Sequence, residues 1–273
     1  MLLFSGNSNN SLAIKIAKAR NVELVRSVVS QYSDGETKIE INQNVQGHDV
    51  FIIQPTCYPV NNNILELCLL ANTLYSMGTR TITAIMPYFG YGRHDGNTDN
   101  KLCNAKLIMQ LLATAHINTV QTLDVHSKRL QRVFDIPNFK LINISSAQVF
   151  ANISQIRAVQ DPVIVAPDMG GVARCRAFAR ALGYHNNNNI AIIDKQRYGN
   201  NKTQITTIIG NITNRDCIIV DDIIDTGNTL NAAAIALQAQ GANRVYACCT
   251  HAVLSGNAVQ SLQQSICEKI FVT

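Results

Sequence analysis

Residues 220–230 read VDDIIDTGNTL, and this stretch decides the architecture around it. An apolar run at residues 217–220 leads into it and predicts a buried strand that two carboxylates close. An Ala-rich segment at residues 230–240 follows and predicts a helix. Small residues between a strand and a helix let backbone N–H groups converge on a phosphate, and the hydroxyls of Thr226 and Thr229 add donors. The stretch therefore predicts an anion-binding loop at a helix N-terminus.

Two acids, Asp221 and Asp222, open this loop. They would repel a bare phosphate, so their targets are the hydroxyls of a sugar that carries the phosphate, or a hard metal ion. The alternative is an acidic turn that caps an ordinary helix, which a lone DTG would fit well. Two acids followed by two threonines, between a strand and a helix, favour the ligand-binding interpretation.

The composition indicates a globular enzyme with one large or two medium cores. The chain has 273 residues, of which 47% are hydrophobic and 15% are charged. The net charge of +5 comes from scattered basic residues. Scattered charge of this size suits anionic small molecules about as well as nucleic acid, and we give more weight to the small molecules.

The sequence predicts a cytoplasmic protein. Residues 1–10 (MLLFSGNSNN) lack the basic leader and long apolar core of a signal peptide. No apolar run approaches the roughly 20 residues of a membrane span. The eight cysteines lie mostly in apolar segments without a CxxC pair, which predicts buried, reduced thiols. The neighbours Cys248 and Cys249 would point to opposite faces of a strand, so a disulfide between them is not expected.

Strand and helix patterns alternate along the chain, which predicts α/β architecture with largely parallel sheets. A weak repeat is more informative: residues 49–86 and 216–247 each contain a strand, a helix, a short step with Gly and Arg, and a second strand. We therefore predict two similar α/β domains, residues 1–145 and 146–273. The first copy has QPTC at residues 54–57 in place of the acidic loop, so only the second domain is expected to bind a sugar phosphate in this mode.

Two further segments follow predicted strands. Residues 168–171 (DMGG) would let the backbone approach a diphosphate while Asp168 holds its magnesium; a Gly-rich turn without function is the alternative. Asp124 and His126 lie two residues apart at a strand end, where they would share a side of an extended chain and act together. A lone histidine, however, is more often structural than catalytic.

A predicted arm carries two cations, Lys195 and Arg197, just after the predicted strand at residues 190–194. In an extended chain they would point the same way and could close over a polyphosphate, with a flexible tip at residues 199–201. A solvated hairpin with ordinary surface charges explains these residues equally well.

Two more segments are weak signals by themselves. Residues 32–36 (YSDGE) predict a turn that any β-rich segment could use. Residues 87–95 (PYFGYGRHD) concentrate aromatic residues and glycines just past a strand end, as a wall for a nucleobase would.

Together these segments resemble ribose-phosphate diphosphokinase, also called phosphoribosyl pyrophosphate synthetase. The resemblance runs from about Leu2 to the end of the chain, and the family's motifs occur in order: SGN at Ser5, YSDGE at Tyr32, PYFGYGRHD at Pro87, DVH at Asp124, PDMGG at Pro167, DKQR at Asp194, VDDIIDTGNT at Val220 and SGNA at Ser255. A collinear set is specific, because a phosphoribosyltransferase would usually have one such domain and no counterpart of YSDGE or DVH. The resemblance implies an α/β fold of two type I phosphoribosyltransferase-like domains, each a mainly parallel sheet flanked by helices.

The resemblance also implies a reaction and a set of site residues. The reaction is a magnesium-dependent transfer of the diphosphoryl group of ATP to the anomeric hydroxyl of ribose 5-phosphate, which gives 5-phosphoribosyl 1-diphosphate and AMP. Catalysis is assigned to Lys195, Arg197 and His126. Ribose 5-phosphate binding is assigned to Arg197, Asp221, Asp222, Asp225, Thr226, Gly227, Asn228 and Thr229. ATP binding is assigned to Tyr32, Asp34, Gly35, Glu36, Arg93, His94 and Asp95. The diphosphate loop is assigned to Asp168, Gly170 and Gly171, and Mg2+ binding to His126 and Asp168.

In this family neighbouring subunits contribute to the ATP site, so the resemblance implies a homo-oligomer built from dimers, typically a hexamer. No nucleic acid or membrane partner is expected. Imidazole is an uncommon magnesium ligand, so His126 would act through water or directly on phosphate.

Several positions depart from the family pattern. The usual Arg-Gln-Asp is RHD at residues 93–95, and GNTDN at residues 96–100 replaces the basic stretch that commonly follows. An anion site needs positive charge, so this loss puts phosphate-type allosteric control in question. Asn228 replaces a common glycine, and we expect it to cap the following helix. The sequence ends at Thr273 inside a predicted strand, where family members usually continue, so we expect lowered stability or altered assembly.

Two alternative functions remain open. One is a catalytically silent, regulatory homologue, although retention of Lys195, Arg197 and His126 argues against it. The other is a transferase or regulator that binds phosphoribosyl diphosphate, which would use that compound with a nucleobase and ignore ATP.

Overall fold

The chain divides into two compact units, Met1–Ile144 and Ser145–Thr273. The predicted boundary, between residues 145 and 146, lies one residue from this division. The computed structural model describes residues 1–96, 103–131, 136–198 and 202–273, with the backbone alone at residues 128, 131, 187, 195–198 and 202–206.

Unit 1, Met1–Ile144, contains a parallel sheet and a separate antiparallel hairpin. Its described helices and strands are, in chain order, β1 (Leu2–Ser5), α1 (Asn10–Arg20), β2 (Ser27–Gln31), β3 (Thr37–Ile41), β4 (Asp49–Ile53), α2 (Val60–Ser76), β5 (Thr81–Ile85), α3 (Asn104–Thr114), β6 (Thr119–Leu123) and β7 (Lys140–Ile144). The sheet has the order β1-β4-β5-β6-β7, and every neighbouring pair is parallel. β2 and β3 form the hairpin.

The sequence of β4 shows why this sheet needs helices on both faces. Side chains alternate along a strand, so Val50 and Ile52 join the core that includes α2 and α3. Phe51 and Ile53 point the other way and pack with residues of α1. A parallel strand that is covered on both sides must be apolar throughout, and the run VFII meets that requirement.

Unit 2, Ser145–Thr273, contains the second sheet. Its described helices and strands are α4 (Ala147–Ala151), α5 (Ser154–Arg157), β8 (Val163–Ala166), α6 (Val172–Ala181), β9 (Ile190–Tyr198), β10 (Lys202–Ile209), β11 (Cys217–Ile224), α7 (Asn228–Ala239), β12 (Val245–Ala252), α8 (Ala258–Gln263) and β13 (Lys269–Val272). The strand order is β10-β9-β8-β11-β12-β13, and only β10 is antiparallel to its neighbour in this described sheet. Both units therefore confirm the predicted α/β class with mainly parallel sheets.

Two of the strands that carry predicted site residues are longer than the sequence predicted. β11 was expected to end at Val220, yet it continues to Ile224 because β12 keeps pairing with it, from Asp221 opposite Cys249 to Ile224 opposite Ala252. The acids of the loop are therefore inside the strand. β9 was expected to end at residue 194 but extends to Tyr198, because β10 supplies an antiparallel partner along this length.

All eight cysteines are free thiols, as the sequence predicted. Burial is confirmed for Cys175, Cys217, Cys248 and Cys249, whereas Cys57, Cys68, Cys103 and Cys267 are only half-buried. Burial raises the pKa of the Cys217 and Cys248 thiols to about 12, so they stay protonated and unreactive at neutral pH. In the described part of the chain, no helix combines the length and the apolar character needed to cross a membrane.

The internal repeat corresponds to two equivalent ion pairs. In unit 1, Arg80 precedes β5 and its Nε donates to Oδ1 of Asp49, the first residue of β4, at 2.8 Å. In unit 2, Arg244 precedes β12 and its Nη2 donates to Oδ2 of Asp216, just before β11, at 2.6 Å. Each pair joins a strand to its parallel neighbour at their N-terminal ends. The Gly and Arg residues of the sequence repeat therefore supply an Asp–Arg ion pair that joins two neighbouring strands. We call this ion pair the strand clamp.

Candidate active site

The predicted phosphate loop lies between β11 and α7. Asp222 is buried and Asp221 half-buried, whereas Thr226, Asn228 and Thr229 are exposed. The first turn of a helix leaves backbone N–H groups without acceptors inside the helix, and here that turn lies beside two exposed hydroxyls. The loop can therefore donate hydrogen bonds to an external anion while the acids remain within the strand.

Gly227 makes the turn from β11 into α7. Its φ is 81°, a left-handed conformation that favours glycine, and an added Cβ would lie 3.0 Å from Leu262 Cδ2. The expectation that Asn228 caps the helix is wrong: Gly227 occupies the cap, and Asn228 is the first helical residue. The left-handed turn requires glycine at the cap, which moves Asn228 to an exposed position in the first turn.

Sequence reasoning missed a basic partner of the two acids, Arg174 of α6. Its Nη1 lies 3.5 Å from Asp221 Oδ1, and its Nη2 lies 3.2 Å from Asp222 Oδ1. Burial, and then the charge of Asp222, raise the pKa of Asp221, and the positive charge of Arg174 opposes that rise. The only sequence signal was an arginine on the helix next to the acidic strand, which does not reveal where its side chain points.

The predicted diphosphate loop follows β8. Asp168 caps the 3₁₀ turn Met169–Gly171, and its Oδ1 accepts a hydrogen bond from the backbone N–H of Gly171 at 3.1 Å. An added Cβ at Gly171 would meet its nearest neighbours only at ordinary van der Waals distances, 3.5 Å and beyond. Internal packing therefore does not demand glycine at this position, which leaves close approach of a ligand as a reason for it.

The predicted arm is the antiparallel pair β9 and β10. In its register Lys195 pairs with Ile205 and Arg197 pairs with Thr203. The two cations thus occupy alternate positions of one strand, and their side chains lie outside the described part. The predicted tip at residues 199–201 also lies outside the described residues.

In unit 1, Asp124 and His126 follow β6, but the predicted geometry is wrong. The strand ends at Leu123, and Asp124 has a φ of 34°, so the chain is not extended across these residues. Asp124 is buried and its N–H donates to Ile144 O at 2.9 Å, whereas His126 is exposed. The argument that residues two apart share one side holds only for an extended chain.

The predicted ATP-binding turn joins β2 to β3. The N–H of Tyr32 donates to Glu36 O at 2.8 Å, and the N–H of Gly35 donates to Tyr32 O at 3.0 Å. Gly35 has a φ of 92°, which closes the turn. The side chains of Tyr32, Asp34 and Glu36 are exposed at its tip.

The segment at residues 87–95 forms a wall of aromatic residues only in part. Phe89 is buried in the core of unit 1, so it does not line a surface for a base. The hydroxyl of Tyr91 donates to Asn61 Oδ1 at 2.6 Å. Arg93 and His94 are exposed, as ligand-binding residues would be, and Asp95 is half-buried. Residues 97–100 of the GNTDN departure lie outside the described residues.

Sequence reasoning also missed the carboxylate that holds the SGN motif. Glu66 of α2 accepts from the backbone N–H of Asn7 at 2.7 Å and from Gln54 Nε2 at 2.8 Å. Asn7 Nδ2 donates to Glu66 Oε2 and to the carbonyl of Val29 in β2, each at 3.0 Å. The motif thus ties the hairpin that carries Tyr32 to the sheet.

The described residues contain no group of three or more His, Cys, Asp and Glu side chains placed to share a metal ion. Magnesium needs fewer protein ligands, because it is commonly held by one or two carboxylates together with substrate phosphates and water. Asp168 suits that mode, since its bond to the N–H of Gly171 uses only part of the acceptor capacity of a carboxylate.

Two family models match the chain. The N-terminal domain of ribose phosphate pyrophosphokinase matches residues 1–115. The phosphoribosyl transferase domain matches residues 132–270, a range that includes the whole acidic loop.

Individual proteins and one solved structure are similar along almost the whole chain. A ribose-phosphate pyrophosphokinase of Vibrio vulnificus (strain YJ016) is 42% identical over 275 residues, which cover 100% of this chain and 86% of the relative. That of Shewanella oneidensis is 42% identical, with 99% of this chain and 85% of the relative covered. The crystal structure of phosphoribosylpyrophosphate synthetase from Mycobacterium smegmatis is similar with a TM-score of 0.87 and 28% identity, covering 99% of this chain and 87% of that one.

Proposed function

The chain belongs to the ribose-phosphate pyrophosphokinase family, and from this premise we propose how its own residues make 5-phosphoribosyl 1-diphosphate. As a member of that family it is a transferase of nucleotide biosynthesis that uses ATP and ribose 5-phosphate. The diphosphoryl group of ATP moves to the anomeric hydroxyl of the sugar, and AMP is released. The loop after β11 carries the proposal, because its acid pair precedes the exposed residues Thr226, Asn228 and Thr229 at a helix N-terminus.

We propose that this loop binds ribose 5-phosphate. Asp225, Thr226, Gly227, Asn228 and Thr229 hold the 5-phosphate, through the exposed hydroxyls and the first N–H groups of α7. Asp221 and Asp222 accept hydrogen bonds from the ribose hydroxyls, because carboxyl oxygens are acceptors for hydroxyl groups. The support is the division between exposed donors in the loop and acids held within the strand.

The chemical step places high negative charge on a transferring diphosphoryl group. The anomeric oxygen forms a bond to the β-phosphorus while the bond from that phosphorus to the oxygen of AMP breaks. Lys195 and Arg197 stabilise the charge from the arm, and the glycines of the loop, Gly170 and Gly171, let the backbone approach the diphosphate. Bound Mg2+ would neutralise phosphate charge, with Asp168 as the protein ligand and His126 acting through water or on phosphate.

We propose further that Tyr32, Asp34, Gly35, Glu36, Arg93, His94 and Asp95 bind ATP. Their support is exposure at the hairpin turn and, for Arg93 and His94, in the loop after β5. Because such exposed turns need a second surface to enclose a nucleotide, we propose a homo-oligomer built from dimers. The complete assembly would be a hexamer. We place the enzyme in the cytoplasm, without nucleic acid or membrane partners.

The decisive experiment is AMP formation from ATP and magnesium, with and without ribose 5-phosphate, using the purified chain. We expect AMP only when the sugar is present. ADP would instead indicate ordinary kinase chemistry. No turnover, combined with use of phosphoribosyl diphosphate and a nucleobase, would overturn the proposal in favour of a transferase.

A further inference from the structure

Arg174 is placed to control the acid pair. It is the third residue of α6, the helix that starts directly after the diphosphate loop, and its side chain is only 13% exposed. Its two terminal nitrogens approach different carboxylates, 3.5 Å from Asp221 and 3.2 Å from Asp222. One rigid fork therefore contacts both acids at once.

The acids need such a partner because of where they lie. The side chains of Asp221 and Asp222 are 18% and 5% exposed. Two neighbouring carboxylates with so little contact with water repel each other, and one of them would tend to take up a proton. A protonated acid is a weaker acceptor for a hydroxyl group than a carboxylate. A guanidinium beside both acids opposes that protonation and fixes the directions of their oxygens.

We propose that Arg174 is the positioning residue for ribose recognition, orienting the carboxylates of Asp221 and Asp222 so that they accept hydrogen bonds from the sugar hydroxyls. It acts through the acids and does not itself touch the sugar. Because α6 starts at the diphosphate loop, Arg174 also fixes that loop relative to the ribose loop. This inference rests on the proposed function of the acid pair and deepens it.

The test compares hydroxyl recognition between variants, by calorimetric binding of ribose 5-phosphate and of 2-deoxyribose 5-phosphate without ATP. In Arg174→Gln we expect the affinity for ribose 5-phosphate to fall by about 10- to 100-fold, the worth of hydrogen bonds to charged groups. The affinity for the deoxy sugar should fall less, so the preference for the ribose compound narrows. A merely structural arginine would weaken both sugars equally and leave the preference unchanged.

Two further variants complete the test. Arg176→Gln removes an exposed arginine from the same helix and should leave both affinities at the wild-type level. Arg174→Lys keeps the positive charge but loses the two-pronged guanidinium, so the preference for ribose 5-phosphate over 2-deoxyribose 5-phosphate should decrease in part. This variant replaces Arg174→Gln in the test if Arg174→Gln does not fold. A wild-type preference in Arg174→Lys and Arg174→Gln, or an equal loss in Arg176→Gln, would overturn the inference. Failure of the proposed function is seen separately, as absence of sugar-dependent AMP formation in the wild type.

Discussion

The ends of β4 and β11 hold the same place in the two copies of the repeat but have opposite chemistry. Gln54 follows β4 where Asp221 stands in the other copy, 167 positions later. Gln54 and Thr56 are fully buried, and their side chains bond to the protein itself: Gln54 Nε2 to Glu66, and Thr56 Oγ1 to Tyr88 O at 3.0 Å. After β11 the side chains of Thr226, Asn228 and Thr229 are exposed and that of Asp225 is half-buried.

This comparison distinguishes residues that maintain the fold, which both copies contain, from residues of the candidate site, which only the second copy contains. Both copies keep the clamp at the N-terminal ends of the strands, Asp49 with Arg80 and Asp216 with Arg244. At the carboxyl end, the copy with β11 exposes the polar side chains of Thr226, Asn228 and Thr229, whereas the copy with β4 buries those of Gln54 and Thr56. The two copies can therefore have the same architecture although only one of them has a loop suited to ligand binding.

The largest expected effect comes from the arm, which has no counterpart in the sheet of unit 1 as described. Lys195→Ala should lower kcat by about 1000-fold or more, because the cation acts on charge that develops in the transition state. Affinity for ribose 5-phosphate should stay nearly unchanged in calorimetry. Lys269→Ala, at an exposed position of β13, is the matched control and should keep wild-type turnover. Equal losses of binding and turnover would make Lys195 a ground-state ligand.

The two strand ends can be compared directly with Asp225→Ala and Thr56→Val. Asp225→Ala should weaken ribose 5-phosphate binding by about 10- to 100-fold with little change in melting temperature. Thr56→Val should do the reverse, lowering stability by about 1–3 kcal/mol because the N–H of Gly90 loses its acceptor at 2.8 Å. If Asp225→Ala lowered the melting temperature but left ribose 5-phosphate binding unchanged, the acidic loop would be a structural turn without a binding role.

The network beneath the end of β4 should be required for local stability. Glu66→Ala removes the acceptor shared by Asn7 and Gln54 and should destabilise unit 1 by about 2–3 kcal/mol, the range for hydrogen bonds to a charged group. Hydrogen exchange should accelerate at the amides of Asn7 and Ser8. Protection that stays at the wild-type level would mean that the SGN motif is held by other contacts.

The smallest effect is expected at the ion pair that both copies of the repeat contain. Hydrogen bonds from Arg80 hold the pKa of Asp49 well below its ordinary value; burial alone would raise the pKa of Asp216, but hydrogen bonds from Arg244 outweigh it. Lowered carboxyl pKa values stabilise the fold above the unfolded value of about 3.9. That stabilisation is lost as the pH falls below about 4 towards the folded pKa.

Asp216→Asn should therefore lower the free energy of unfolding at pH 7 by about 1–2 kcal/mol. In a series of urea unfolding curves, the midpoint of the variant should also fall less steeply than that of the wild type as the pH is lowered below about 4. Asp49→Asn should have a smaller effect, because the Asp49 side chain is 35% exposed and that of Asp216 is 6% exposed. A larger loss of stability in Asp49→Asn than in Asp216→Asn would contradict this expected order.

Sequence reasoning was most successful where local patterns carry the information. Apolar runs such as the one in β8 and the position of Gly227 between a strand and a helix predicted the parallel sheets and the loop. It failed where pairing with a distant strand decides the outcome, as in the extension of β11 beside β12. It also failed at Asp124, where a φ of 34° ends the extended chain on which the inferred pairing with His126 depended.

The sequence by itself determined the fold class, the order of motifs and the residue types of the site, since these depend on periodicity and on the chemistry of single residues. Only the tertiary structure revealed Arg174 between two acids that lie about fifty positions away along the chain, and Glu66 beneath Asn7. Such contacts depend on which helix face meets which strand end. That geometry is set by packing of the whole unit, and no local pattern of residues encodes it.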